Sequence, residues 1–337
     1  MIQQAISTVV SGHDLAAEDA TQVMEEIMTS EATPAQFGAF VTALRLKGET
    51  AEEIAGMALV MRKKALHVQS AGDLVDTCGT GGDGAHTINV STIAAFVVVG
   101  AGLKVAKHGN RAITSACGSA DVLEAAGVKI DLGPEGVELC IQEVGMGFMF
   151  APTFHPTMRY AGPLRREIGI RTVFNILGPL TNPAGARRQV LGIADGSLGE
   201  KMARVLQYLG SQHALVVHGE DGLDEISIAA PSQIWELQNG SIRGYTVTPE
   251  DLGLSRASAD AIRGGTKEEN VAAMNRVLSG ENSPHRDVVL LNAAAALVAG
   301  DAVQELRQGV AVASEAIDSG RAIEKLRALA ELSQMLI

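Results

Sequence analysis

Between Ile2 and about Leu66 the apolar residues recur at helical spacing, as in Val23 with Ile27 and Met24 with Met28. Start and stop signals divide this run. Thr33-Pro34 reads as an N-cap followed by proline at the first helical position, and Lys47-Gly48 as a basic last turn with a terminating glycine. Thr50 with Glu53 spells a capping box for a further helix towards Leu66. From Leu74 the pattern changes to short strand-like runs: Leu74 to Asp76, Lys104 to Lys107, Val128 to Ile130, Gly147 to Phe150, Val190 to Ile193 and Ala214 to His218. Helical stretches separate them, among them Thr92 to Val99, Ala120 to Ala126, Gly136 to Val144 and Leu198 to Leu209, and Asn292 to Ala299 and Ala311 to Leu336 follow as covering helices. Such alternation predicts βαβ units around a largely parallel sheet, whose strand order the pattern does not give. Asn175 to Ala184 is the densest turn cluster and reads as a hinge or linker between the helical and sheet parts.

A chain of 337 residues is long enough for two domains or for one large domain with an appendage. Apolar residues make up 46%, yet Phe, Tyr and Trp number only 7, 3 and 1, so the core must be aliphatic, as in helix and parallel-sheet proteins. With 27 basic against 39 acidic residues the formal charge is −12, which argues against a sequence-independent binder of nucleic acid. Three cysteines, Cys78, Cys117 and Cys140, without C-x-x-C spacing suggest neither a disulfide framework nor a thiolate zinc site. The first residues lack a signal-peptide pattern and no apolar run reaches the ~20 residues needed to span a bilayer, so the expectation is a soluble, unprocessed cytoplasmic protein without membrane contact.

Candidate chemistry gathers where strand-like runs end. Gly79-Thr-Gly-Gly82-Asp83-Gly84 holds four glycines in six positions, which lets successive backbone N–H groups turn towards one anion; taken alone it could be an ordinary turn. Asn89-Val90-Ser91-Thr92 precedes an apolar helix, where Ser or Thr would cap the first turn beside that loop and Ser91 could also ligate a hard cation. Lys107-His108-Gly109-Asn110-Arg111 ends the next strand-like run, followed by Thr114, Ser115 and Ser119. Ligands collect beyond the carboxyl ends of strands in open α/β sheets, so these segments together describe a polyanion cradle. Downstream, Glu220, Asp221, Asp224 and Glu225 form an acidic turn that suits Mg²⁺ bridged to a diphosphate, or merely a solvated loop. His155 and the Arg165-Arg166 pair could serve a carboxylate-bearing second substrate.

These strings, GTGGDG (79 to 84), NVST (89 to 92), KHGNR (107 to 111), GSADVLEAAG (118 to 127), FAPTFHP (150 to 156), RREIGIRTVFNILGPLTNPA (165 to 184) and DGLDE (221 to 225), in this order resemble the anthranilate phosphoribosyltransferase family across nearly the whole chain. The resemblance implies the α/β fold shared with nucleoside phosphorylases: a small N-terminal helical domain (1–70, joined by part of about 155–185) and a larger α/β domain (71–337) with a mainly parallel sheet and the active site between them. It implies a homodimer through the N-terminal helices and leaves open an association with anthranilate synthase. By the resemblance, Gly79, Gly82, Asp83, Thr87, Asn89, Val90, Ser91, Thr92, Lys107, His108, Gly109, Asn110, Arg111, Ala112, Ile113, Thr114, Ser115 and Ser119 hold 5-phosphoribosyl 1-pyrophosphate. Gly79, Asn110 and Arg165 contact anthranilate, with His108 and His155 lining its approach, and Ser91, Asp224 and Glu225 carry Mg²⁺ as two ions. A nucleoside phosphorylase of the same fold is the alternative enzyme; it would need no acidic Mg²⁺ pair. A non-catalytic or nucleic-acid-binding relative is a third reading, which the charge of −12 and the intact Asp224-Glu225 pair count against.

Overall fold

The computed structural model describes residues 1–70, 72–112 and 116–336. Four helices open the chain: α1 (Ile2–Val10), α2 (Ala17–Met28), α3 (Pro34–Lys47) and α4 (Ala51–Lys64). Their boundaries follow local chemistry. Thr33 and Gln36 exchange side-chain and backbone hydrogen bonds at the start of α3, and Thr50 and Glu53 do so at α4. Gly48, at φ 87°, ends α3 where an L side chain would be strained.

The remainder runs β1 (Leu74–Gly79), α5 (Val90–Gly100), β2 (Lys104–Gly109), α6 (Ser119–Ala125), α7 (Pro134–Glu143), β3 (Met146–Phe150), α8 (Ala151–Phe154), α9 (Met158–Ile168), α10 (Phe174–Leu177), β4 (Arg188–Gly192), α11 (Gly199–Tyr208), β5 (His213–Gly219), β6 (Ser232–Gln238), β7 (Ser241–Val247), α12 (Lys267–Leu278), α13 (Pro284–Ala299), α14 (Leu306–Asp318) and α15 (Arg321–Met335). The strands form one sheet in the order β3-β2-β1-β4-β5-β6-β7, parallel from β3 to β5 and antiparallel at β6 and β7. One face packs on α5 and α13, apolar nearly all round and therefore buried within the larger core. The other face, through Leu191, Ile193, Ala214 and Val216, shares a core with α1 to α4, and α9 packs against α2 and α3. Among the described residues no helix is long and apolar enough to cross a membrane.

Four expectations change. Val128 to Ile130 is not a strand: Val128 and Ile130 are buried as an irregular connection from α6 to α7, so their apolarity reflects packing alone. The hairpin of β6 and β7 was not anticipated. Ala311 to Leu336 is two helices, broken at Gly320 with φ 77°. The cluster Asn175 to Ala184, read as a hinge or linker, is ordered as α10 and a 3-10 turn between α9 and β4, and Asn182 Nδ2 donates at 2.8 Å both to Asp76 Oδ2 and to the Ala106 carbonyl.

At the amino-terminal edge of the sheet, His213 lies between Asp301 Oδ1 (Nδ1, 2.7 Å) and Glu236 Oε1 (Nε2, 2.9 Å). Arg188 pairs with Asp301 and Asp73, and Arg243 with Glu236. Burial works against the imidazolium, but the two carboxylates outweigh it and raise the His213 pKa above its ordinary 6.5. A raised folded-state pKa contributes stability that is complete below 6.5 and lost as pH climbs through the raised value. Unfolding free energy should therefore fall across that window, and His213→Gln should be less stable below it and show no such slope. Equal slopes in denaturant titrations of both proteins would remove this assignment.

Candidate active site

The carboxyl ends of β1, β2 and β4 meet the start of α5 and the segment after β5. β1 and β4 pair in register with Gly79 opposite Gly192, and both glycines face Asp224. A Cβ at Gly79 would overlap the Asp224 carboxylate, and one at Gly192 would overlap its main chain. Neither has positive φ, so close approach explains these two glycines. The Gly81 N–H donates to Asp224 Oδ2 at 2.7 Å, which ties the acidic segment to the glycine loop. Gly81, Gly82 and Gly84 all have positive φ, the backbone shape that points consecutive N–H groups into a concavity.

Of the four carboxylates in the acidic turn, two reach this place. Asp221 instead accepts from Ser227 Oγ at 2.8 Å, and Glu220 is exposed. Burial, and then the adjacent Asp83 carboxylate, push Asp224 up to about 7. Burial and then Asp224 push Glu225 well above the usual carboxylate range, while Lys107 and the Ser91 backbone N–H oppose the shift. Lys107 is 2% exposed and donates to the Thr77 carbonyl and, at 3.2 Å, to Ser91 Oγ. Burial lowers its pKa against the pull of Asp76, Cys78 and Glu225. Ser91, Asp224 and Glu225 are thus brought together. Among the described residues no three His, Cys, Asp or Glu side chains converge as a closed metal cage would require. Crowded, partly buried oxygen donors without full encirclement fit a hard cation that takes its remaining ligands from substrate and water.

Asn89, and neither Ser91 nor Thr92, is the cap residue of α5, and it makes no side-chain cap bond. Ser91 and Thr92 instead lie within the first turn, with Thr92 buried like Val90. Asn89 Nδ2 donates to the Cys117 carbonyl at 3.0 Å, and Thr87 pairs with Arg263 at the rim. At the end of β2, Gly109 faces Ser119, whose hydroxyl donates to the Asn110 carbonyl at 3.2 Å. Asp121 holds this loop by accepting from the Ala112 and Gly118 N–H groups, each at 3.0 Å. Arg111 pairs with Glu124 and Asp121, and its guanidinium lies 5.6 Å over the Phe150 ring. Ile113, Thr114 and Ser115 lie outside the described residues.

His108 and His155 form a second pair. The rings of His108 and His155 are 4.9 Å apart, and burial pushes them down to about 3 and about 4, so both are neutral. The Nε2 atom of each is buried without a hydrogen-bond partner among the described residues. Arg165, from α9, sits 5.5 Å from the Phe174 ring, and burial alone lowers its pKa, with no acidic neighbour contributing. The sequence reading missed Gly192, the Gly178 to Thr181 turn that abuts both histidines, and Arg171, whose guanidinium crowds Gly82 and donates to the Gly81 carbonyl at 3.3 Å. Arg171 and the turn both fall within the 165–184 string, but nothing local in that string aims either of them at the site.

Residues 71–323 match the family described as glycosyl transferase family, a/b domain, and residues 3–65 the corresponding helical bundle domain. The anthranilate phosphoribosyltransferase of Chloroflexus aurantiacus is 61% identical over 335 residues, 99% of each chain, and that of Dehalococcoides mccartyi 55% over 338 residues, 100% of this chain and 99% of the relative. The crystal structure of anthranilate phosphoribosyltransferase from Thermus thermophilus superposes with a TM-score of 0.93 at 44% identity, covering 98% of this chain and 99% of that one. The Saccharomyces cerevisiae enzyme in complex with PRPP and Mg gives 0.91 at 28% identity, covering 99% and 98%. On its sequence and its fold, this chain belongs to the anthranilate phosphoribosyltransferase family.

Proposed function

We propose that the protein transfers the phosphoribosyl group of 5-phosphoribosyl 1-pyrophosphate to the amine of anthranilate, releasing pyrophosphate, as a step of tryptophan biosynthesis. The observation that carries this reading is the meeting, at the carboxyl ends of the strands, of a glycine loop with the partly buried Asp224-Glu225 pair. The neutral imidazoles of His108 and His155, and Arg165 without an acidic neighbour, are read with it. The first group suits a diphosphate; the second suits an aromatic carboxylate. In this reading Asp224, Glu225 and Ser91 hold Mg²⁺, as two ions, and the metal supplies neutralisation of charge on the departing diphosphate. The remaining work is positioning and electrostatics. The glycine loop and the start of α5 present N–H groups and a positive helix end to phosphate oxygens. Arg165 grips the carboxylate, and the neutral histidines pack on the ring without competing for that carboxylate as cations would. The arylamine attacks C1 of the ribose as a neutral base through an oxocarbenium-like transition state and sheds its proton afterwards, so no obligatory general base is assigned.

Anthranilate fluorescence tests this reading: the signal should decay only when protein, 5-phosphoribosyl 1-pyrophosphate and Mg²⁺ are all present. Decay without the sugar diphosphate would indicate another reaction. A nucleoside phosphorylase is not favoured, since relatives at 55–61% identity over essentially the full chain carry the transferase name. Arg165→Ala should raise the KM for anthranilate about 10- to 100-fold with a smaller change in kcat, because a charge-assisted pair is lost. An unchanged KM would take Arg165 out of the pocket.

The reading includes the domain division given by the sequence, residues 1–70 with part of about 155–185 against 71–337, and a homodimer through the N-terminal helices. Val10, Leu46 and Leu59, exposed on α1, α3 and α4, support the dimer by offering apolar surface that a second copy would cover. Light scattering on the purified protein reads that mass directly.

A further inference from the structure

Parallel strands buried on both faces ordinarily read as continuous apolar runs, and β1 departs from this with the buried Asp76-Thr77. The sheet departs from regularity at the same place. β1 pairs with β4 from Val75↔Arg188 to Gly79↔Gly192, and β2 with β3 from Val105↔Met146 to Gly109↔Phe150. β1 and β2, by contrast, pair at Leu74↔Lys104 and Val75↔Val105, and among the described residues their ladder goes no further. The strand order reverses between β1 and β4, so this split lies one strand away from the switch point at which α/β sheets ordinarily open.

Three buried polar side chains span the split. Asn182 bridges both strands: its Nδ2 donates at 2.8 Å to Asp76 Oδ2 of β1 and at 2.8 Å to the Ala106 carbonyl of β2. Asp76 accepts through its other oxygen from the His108 N–H of β2 at 3.4 Å. Lys107 of β2 donates to the Thr77 carbonyl of β1 and to Ser91 Oγ at the start of α5. The Thr77 and Ala106 carbonyls and the His108 N–H are thus met by side chains where a continued ladder would have paired backbone with backbone. The Asn182 amide is used in full, since its oxygen accepts from the Ala184 N–H at 2.9 Å. An aspartate there would aim oxygen at both the Asp76 carboxylate and the Ala106 carbonyl.

Apolar side chains of the same shape would fill the split at lower cost. A ladder carried on to Gly79 and Gly109 would hold those strand ends about 4.8 Å apart, with no room between them for a ligand. We infer that Asp76 and Asn182 are positioning residues: with Lys107 they hold the carboxyl ends of β1 and β2 apart, so that the ribose of the sugar diphosphate seats between the glycine loop that follows β1 and the Asn110 segment that follows β2. The inference rests on the proposed reading of this end of the sheet as the sugar diphosphate site.

Asp76→Leu combined with Asn182→Leu removes both partners together, so neither is left unpaired, and allows the ladder to close. Titration calorimetry with 5-phosphoribosyl 1-pyrophosphate and Mg²⁺, steady-state anthranilate consumption and a thermal melt read the outcome. Affinity for the sugar diphosphate should fall roughly 10-fold or more and kcat/KM about 10²-fold, as expected for binding groups displaced by about 1 Å, while the thermal midpoint equals or exceeds that of the unaltered enzyme. A pair that merely held the fold would lose midpoint and activity together. Asn182→Asp keeps the shape, replaces both donors by acceptors and should weaken affinity similarly. Adding Asp76→Asn to it restores a donor between the two side chains and should recover the affinity several-fold, which decides the matter should the leucine pair not fold. Unchanged affinity or a large fall in midpoint in the folded leucine pair, or a swapped pair no better than Asn182→Asp alone, overturns the proposal. Should the unaltered enzyme neither bind the sugar diphosphate nor consume anthranilate, the functional reading falls and this inference with it; normal binding and turnover with unmoved variants removes the inference alone.

Discussion

Replacing Asp224 by Asn together with Glu225 by Gln should lower kcat/KM by about 10³-fold or more and leave the fold intact. The two changes keep shape and remove carboxylates where Asp83, Asp224 and Glu225 crowd together beside the glycine loop. Asp224 is partly buried and hydrogen-bonded by the Gly81 N–H, and Asp83 presses on it with the same sign. Such a group is held for what it binds, since an uncompensated carboxylate cluster destabilises the protein that contains it. The thermal midpoint of the double variant should therefore equal or exceed that of the unaltered protein while the affinity for the sugar diphosphate collapses, and excess Mg²⁺ should restore little. Wild-type-like rates would remove the metal assignment; a large fall in midpoint would show that the pair is structural.

The second large effect is expected at a residue that carries no functional group. Gly192→Ala places a methyl where the Asp224 main chain runs, in the strand position paired with Gly79. Backbone cannot swing aside as a flexible side chain would, so the segment bearing Asp224 and Glu225 must shift. We expect a loss of about 1–3 kcal/mol in unfolding free energy and roughly 10²-fold in kcat. Gly79→Ala meets the Asp224 side chain, which can rotate, and should cost less stability for a similar loss of rate. Denaturant unfolding with initial-rate assays on both variants distinguishes the two cases. If Gly192→Ala retains rate and stability, the acidic segment does not cross that strand end.

The starts and stops of α3 and α4 were legible because the capping residues lie within three positions of their partners. The glycine loop and the strand-end clusters were legible for a related reason: an α/β sheet places ligand groups in the loops that follow its strands, so position along the chain already implies position in space. Local reading failed where apolarity had another cause, as at Val128 to Ile130, which packs without pairing. The β6–β7 hairpin did carry a signal in Asn239-Gly240, both at positive φ, and it was overlooked because Ser232–Gln238 lacks a run of branched apolar residues.

By itself the sequence determined the family, the helical and sheet parts, the aliphatic core and which segments hold the chemistry. Only the tertiary structure decided which groups within those segments face one another. Gly81 meets Asp224 across 143 positions, Asn182 reaches Asp76 across 106 and Arg62 reaches Leu180 across 118. It also buried Lys107 against the Thr77 carbonyl and paired Arg111 with Asp121 and Glu124 of α6. Such pairings leave no periodicity and no spacing in the chain. They exist because a buried charge must find partners in whatever element the packed sheet and helices bring beside it.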